Sequence, residues 1–343
     1  MNINDIKNKV NSSEYDFLRT NERLQKNIIL LGLGGSHAYG TEVEGSDLDV
    51  RGITLNSKSD ILGLNKGFEQ FTDNDTDTTI YSFNKMIKLL TSCNPNVVEI
   101  LGLKPEHYLY LSEIGKELLD NKHLFISKRA SITFGAYALS QLKRLDNKAV
   151  RLVSQSEQEQ HILNSIKNAS YTFKDQFFSY DEDNIKLYID KSDREEYDTE
   201  IFMDINLKHY PLRDYKSMWS TMNNIVKEYS KIGKRNTNAI EHNKLGKHMC
   251  HLVRLYLMCL DILNDGEIVT YREKDHDFLM DIRNGKYLDD NRQPIPEFFD
   301  IVTSLEEKLE TAKITTDLPD KPDYKKINEF VASVNERIVK GEI

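Results

Sequence analysis

One stretch near the N-terminus constrains this chain more than any other: an apolar run that empties into glycines and is followed by two spaced carboxylates. Ile28-Ile29-Leu30-Leu31 leads into Gly32-Leu33-Gly34-Gly35-Ser36, and Gly45-Ser46-Asp47-Leu48-Asp49 follows a little further on. An apolar run this short with a glycine-rich exit reads as a buried strand. His37-Ala38-Tyr39-Gly40 then reads as the first turn of a helix. Free backbone N–H groups at Gly35-Ser36, together with the Ser36 hydroxyl, are phosphate ligands. Leu48-Asp49-Val50-Arg51-Gly52-Ile53 alternates apolar and polar side chains, the pattern of a half-buried strand. In a strand Asp47 and Asp49 would share a face. Two carboxylates on one face repel unless a cation lies between them, and hard oxygen donors suit Mg²⁺ or Mn²⁺. Phosphoryl and nucleotidyl transfer need both a phosphate clamp and a metal clamp, because their catalysis is largely positioning and charge neutralisation. The plainer alternative is a surface turn followed by a strand with solvated aspartates. A dinucleotide fingerprint is the wrong pattern, since GxGxxG starting at Gly32 needs glycine where His37 stands.

The rest of the chain divides by texture. Residues 5–26 read as an exposed polar helix, Thr78-Thr79-Ile80-Tyr81 as a third strand, and Phe83 to Ser92 as a helix stopped near Asn94-Pro95-Asn96. From about residue 126 long helical patterns take over: Ser131–Leu145, Glu157–Asp175, Tyr215–Tyr229, Asn243–Asn264 and Asn328–Val339. Ile185–Ile189 and Glu200–Ile205 interrupt them as a β-hairpin whose acidic turn lies at Asp190–Glu196. The expected fold class is α+β: a mixed sheet with flanking helices over 1–125, then a mostly helical C-terminal domain over 126–343 with a β-hairpin insertion.

Composition sets wide limits. A chain of 343 residues, 39% hydrophobic and 29% charged, has the makeup of a soluble globular protein and room for two domains. The net charge of −9 argues against non-specific coating of nucleic acid but leaves room for a local basic groove. Cys93, Cys250 and Cys259 form no CxxC pair and are odd in number, so a disulfide framework is not expected. There is no apolar signal core at the N-terminus and no run long enough to cross a membrane, so the expected location is the cytoplasm.

The string GGSHAYGTEVEGSDLDVRG resembles the DNA polymerase beta nucleotidyltransferase superfamily, whose signature is Gly-Ser followed by Asp-x-Asp. More narrowly the chain looks like the RlaP-type nucleotidyltransferases of bacteria and large tailed phages. That match rests on Ser36, Tyr39-Gly40, Ser46-Asp47-x-Asp49-x-Arg51-Gly52, Asn94-Pro95-Asn96 with Glu99, and the helix Lys244–Leu255. Asp261 to Tyr287, with Gly266, Arg272 and Arg283-Asn284-Gly285-Lys286, fits as well. The hairpin region, about 181–207, has no counterpart among these motifs.

The resemblance implies that Asp47 and Asp49 hold two Mg²⁺ ions and that a third carboxylate comes from a neighbouring strand. Asp77 is the choice, with Asp75 and Asp73 as rivals in Asp73-Asn74-Asp75-Thr76-Asp77. Lys244, Lys247, His248, His251 and Arg254 fall on one helical face, opposite Leu245, Met249, Leu252, Tyr256 and Leu263. Such a face is ordinarily solvated. Here Lys244, Lys247 and Arg254 are candidates to reach a triphosphate or an acceptor phosphate. His248 and His251 alone are weak evidence for zinc. His37, Tyr39, Arg51 and Glu99 either line the site or simply pack. Associated with RNA repair, the resemblance implies an NTP-dependent enzyme transferring NMP to a hydroxyl, with an RNA or tRNA end as candidate acceptor. Two alternatives stay open: a non-catalytic nucleotide sensor or interaction module, and an alarmone synthetase or toxin of the same superfamily.

Overall fold

The structure is a computed structural model and describes residues 1–64, 67–150, 159–160, 163, 185–193, 199–220, 223, 245–290 and 292–343. The chain forms two compact units. One comprises Met1–Leu142, Gly246–Tyr287 and Pro296–Ile343, the other Lys143–Leu245 and Leu288–Ile295.

The first unit is built on a five-stranded mixed sheet. Its strands are β1 (Ile28–Leu33), β2 (Val50–Thr54), β3 (Gln70–Asp73), β4 (Thr78–Ser82) and β5 (Tyr108–Leu111), in the order β3-β4-β2-β1-β5. All six residues of β1 are buried, as an apolar strand flanked on both edges requires. β1 pairs antiparallel with β2 and β5, β3 antiparallel with β4, and β2 runs parallel to β4. Two consequences fix the site. Leu33 at the end of β1 lies opposite Val50 at the start of β2. Val50 also lies beside Thr78, so the residues entering β2 and β4 are neighbours.

Helices flank this sheet: α1 (Ile3–Val10), α2 (Phe17–Thr20), α3 (Gly35–Tyr39), α4 (Lys58–Leu62), α5 (Phe83–Thr91), α6 (Pro95–Val98), α7 (Glu113–Asp120) and α8 (Arg129–Val150). Further along come α9 (Leu245–Asp265), α10 (His276–Arg283), α11 (Pro296–Thr315) and α12 (Tyr324–Lys340). Leu30, Ile53, Ile80, Phe83 and Leu90 are fully buried and tie β1, β2, β4 and α5 into one core. α12 closes this core through Phe330, whose ring meets Phe83 edge-on at 5.8 Å, and through Arg337, which clasps both Glu117 oxygens at 2.9 and 2.5 Å. The mixed sheet with flanking helices is the polymerase-beta-type α+β arrangement, followed by a helical region. In the second unit β6 (Ile185–Lys191) and β7 (Thr199–Ile205) pair antiparallel as the expected hairpin.

Three expectations need correction. Residues 5–26 are not one exposed helix: α1 ends at the Asn11 cap, and α2 and short 3-10 turns follow. Ile6, Val10, Tyr15, Leu18 and Leu24 are buried there, so the segment wraps onto the core. The strand expected from Leu48 begins only at Val50, because Leu48 and Asp49 approach it without ladder pairing. α9 is not half solvated: besides the expected apolar residues, Cys250, Val253, Leu255, Met258 and Ile262 are buried too. Most of the helix expected at 157–175 and part of the one expected at 215–229 fall outside the described residues.

Candidate active site

The site lies where β1 ends and β2 and β4 begin. Gly34 caps α3 in extended conformation, and its N–H donates to the Asp49 carbonyl at 2.9 Å. Gly35 takes φ +54°, and a Cβ there would stand 1.9 Å from Asp49 Oδ2. Only glycine allows that approach, so the first residue of α3 and the Asp49 carboxylate are one packed pair. Ser36 and His37 are buried in the same turn.

Asp49 and Asp77 enter neighbouring strands side by side, and Val50 N–H donates to the Asp77 carbonyl at 3.3 Å. Arg51 Nη2 lies 3.0 Å from Asp49 Oδ1 and 3.4 Å from Asp77 Oδ1. The two carboxylates differ in setting: the Asp49 side chain is 16% exposed and that of Asp77 58%. Burial pushes the Asp49 carboxyl up to about 6; Arg51 pulls it down, while the Asp77 carboxylate pushes it up. Lys247 adds a further cationic influence on Asp49. Asp47 is exposed on the segment leading to Asp49. Among the described residues no three His, Cys, Asp or Glu side chains gather as a metal cage, so Asp47 does not form a closed set with Asp49 and Asp77. Two adjoining carboxylates nonetheless fit Mg²⁺, which takes its remaining ligands from water and substrate phosphates.

The rivals to Asp77 are placed differently. Asp73 Oδ2 accepts from the Thr76 N–H at 3.0 Å and the Thr76 hydroxyl at 2.7 Å, holding the β3–β4 turn. Asp75 is exposed in that turn. Asp77, at φ +45°, is the carboxylate the turn presents to Asp49.

The basic residues of α9 separate. Lys247 is exposed, whereas Arg254 is only 8% exposed and stacks its guanidinium over the Tyr39 ring at 3.6 Å. Arg254 also lies 2.9 Å from His251 Nδ1, and its buried Nε makes no hydrogen bond. Tyr39 donates to Glu99 Oε2 at 2.8 Å. Glu99 is raised by burial, opposed by the Arg254 charge and the Tyr39 hydrogen bond. Arg254 thus serves a buried Tyr39–Glu99 group rather than an open basic face. Lys244 lies outside the described residues.

Of two further connections at the site, the motif foreshadows one and not the other. Arg51 was visible as a motif residue, and its two-residue offset from Asp49 was the signal for their pairing. Arg283 of α10 donates to Ser46 Oγ at 3.2 Å, and Ser46 Oγ also accepts from the Val43 N–H at 2.9 Å. That tie fixes the turn before Asp47 from far away in the chain, and nothing local in the sequence signals it.

Comparison with known proteins agrees with this architecture. The chain is 22% identical over 333 residues to an uncharacterized 38.9 kDa protein from the nrdC-mobD intergenic region of Enterobacteria phage T4, covering 88% of this chain and 94% of that protein. No solved structure gives a significant match. Among the described residues no helix is long and apolar enough to cross a membrane. A family model matches residues 10–176, the stretch that holds β1, the Gly35-Ser36 turn, Asp49 and Asp77. Over those residues the chain is similar to the RNA repair pathway DNA polymerase beta family, RlaP.

Proposed function

We propose that this chain is a metal-dependent nucleotidyltransferase that moves NMP from an NTP to a hydroxyl on a nucleic-acid end. The observation that carries the reading is the packing of the Asp49 carboxylate against Gly35, with Asp77 alongside it across the parallel pair. A phosphate held at the Gly35-Ser36 turn would lie next to two carboxylates able to hold Mg²⁺ or Mn²⁺. When bound, that ion would supply charge neutralisation at the phosphates and make the attacking hydroxyl easier to deprotonate.

The chain's own residues divide the remaining work. The backbone of Gly35-Ser36 and the Ser36 hydroxyl orient the triphosphate. Asp49, mostly buried, would anchor the ion with Asp77 beside it, and Asp47, exposed on the same segment, would add a further carboxylate. The exposed Asp77 faces the acceptor and takes the proton of its hydroxyl. The acceptor oxygen bonds to the α-phosphorus, the bond from that phosphorus to the bridging oxygen breaks, and pyrophosphate leaves. Lys247, exposed and electrostatically coupled to Asp49, meets the leaving phosphates; Lys244 is the remaining phosphate candidate, while Arg254 acts behind the site by holding the Tyr39–Glu99 group. RNA repair in the family description favours an RNA or tRNA end as acceptor.

The test is incubation with each α-labelled NTP, Mg²⁺ or Mn²⁺ and total RNA, followed by analysis of every labelled species. Label on RNA that disappears in Asp49→Asn supports the reading. NTP binding without transfer to any acceptor would favour the alternative, a non-catalytic nucleotide-binding sensor or interaction module.

A further inference from the structure

Arg51 occupies the position between the two carboxylates more completely than an ordinary neighbouring ion pair would. Nη2 reaches Asp49 Oδ1 at 3.0 Å and Asp77 Oδ1 at 3.4 Å, while Nη1 donates to the Asp77 carbonyl at 2.6 Å and the Val50 carbonyl at 3.1 Å. The planar fork of arginine is suited to such a set, since it carries several donors in fixed directions. The Oδ1 atoms it contacts are also candidate ligands for a divalent cation, and a cation at contact distance from the same oxygens would be repelled by the guanidinium.

We propose that Arg51 is a gate on the metal seat: it holds Asp49 and Asp77 together and must swing out for a divalent cation to enter. The inference rests on the metal-dependent reading above. It adds that metal affinity is held down by an internal competitor. The carboxylates are thereby kept at the right separation without paying their mutual repulsion, and the cation must displace a hydrogen-bonded guanidinium to bind. The side chain of Arg51 is 23% exposed, so it has a route outward to water.

The experiment is titration with Mn²⁺ alone, following free Mn²⁺ by electron paramagnetic resonance, on the full chain and on Arg51→Gln, Arg51→Lys and Arg51→Gln/Asp49→Asn. Thermal melts confirm that each variant is folded. Arg51→Gln is expected to bind Mn²⁺ at least tenfold more tightly than the unaltered chain. Arg51→Lys keeps the charge and loses the fork, so it should also bind more tightly, and it is the conservative variant if the glutamine one fails to fold. Adding Asp49→Asn should remove the gain.

If Arg51→Lys binds like the unaltered chain while Arg51→Gln gains, only nearby charge matters and the gate is wrong. Unchanged or weaker binding in Arg51→Gln overturns it as well, and if Asp49 is still needed for Mn²⁺ the metal-dependent reading survives. Absence of Mn²⁺ binding in every variant would overturn both.

Discussion

The carboxylate of Asp49 rests against the α-carbon of Gly35, so closely that a Cβ at residue 35 would stand 1.9 Å from Oδ2. Gly35→Ala therefore has two effects. It forces a side chain into the left-handed region at φ +54°, and it pushes Asp49 out of place. The strain alone costs about 1–2 kcal/mol. Displacing a catalytic group by an ångström costs about 10²-fold in rate. Gly45→Ala separates the two, because Gly45 also has positive φ (+80°) but an added Cβ there meets nothing within 4 Å. Both variants should lose similar stability in denaturant titrations, and only Gly35→Ala should lose transferase activity far beyond that. Equal activity in the two would refute the packed-pair argument.

The acidic turn makes a graded series. Asp77→Asn should lower turnover at least a hundredfold with little change in NTP affinity, since the carboxylate faces the acceptor side. Asp73→Asn should instead cost about 1 kcal/mol of stability by weakening the Thr76 contacts, with activity following the folded fraction. Asp75→Asn should do neither. Steady-state kinetics and chemical denaturation on the three variants decide it; a turnover loss centred on Asp75 would move the third carboxylate.

Lys247 and Arg254 should behave as different kinds of residue although both lie on α9. Lys247→Ala should weaken NTP binding by about tenfold, the order of one charge-assisted hydrogen bond, without altering the melting temperature. Flattening of the salt slope for RNA binding by about 0.7–0.9, with NTP affinity intact, would place Lys247 on the acceptor instead. Arg254→Ala removes the charge that opposes Glu99 burial and should destabilise the fold by on the order of 3 kcal/mol. An Arg254→Ala protein of unchanged stability would contradict its buried role.

Mild acid should weaken the fold through two histidines. Burial lowers both His37 and His107; Glu42 counteracts it at each, Glu106 also at His107, while Arg283 adds to it at His37 and Lys104 at His107. The unfolded chain then takes up protons near pH 6.5 that the folded chain resists. Their contribution is full above about pH 6.5 and is lost as pH falls, by at most about 1.4 kcal/mol per pH unit for each group. Asp49, raised to about 6, works in the opposite sense at lower pH. Melting temperatures between pH 7.5 and 6 should therefore fall, and the fall should be smaller in His37→Gln/His107→Gln. An identical slope in the double variant would show that other groups carry it.

The parts of this fold legible in the sequence are the ones whose cause is local. Ile28–Leu31 is apolar throughout and exits through glycine, so β1 and its turn stand out. The hairpin β6–β7 and the helix α5 follow from alternation and from the Asn94-Pro95 stop, where the Asn94 side chain accepts from the Asn96 N–H at 3.0 Å. β3 and β5 are short and half exposed, with too little pattern to distinguish them from loop. α11 carries Phe298, Val302, Leu305 and Leu309 at helical spacing, yet no helix is expected there from the sequence, because no chemical motif or sharp stop marks it. At the site, Gly35, Asp49 and Arg51 lie within one short segment, whereas the approach of Asp77 depends on which strand β2 pairs with. The burial of Arg254 over Tyr39 and the grip of Arg283 on Ser46 are long-range contacts. They arise only when α9 and α10 fold back on the first sheet, and no spacing rule encodes them.

The discontinuity of the first unit also bears on how the protein is made. Its sheet and the Gly35-Ser36 turn are synthesised early, but α9, α10 and α12 that complete the same core come from residues after 245. Phe83 cannot meet Phe330, nor Glu117 meet Arg337, until residue 337 has left the ribosome. The part of the core that α9, α10 and α12 cover thus stays open until those helices are made, which makes chaperone capture and early proteolysis natural hazards of its biosynthesis.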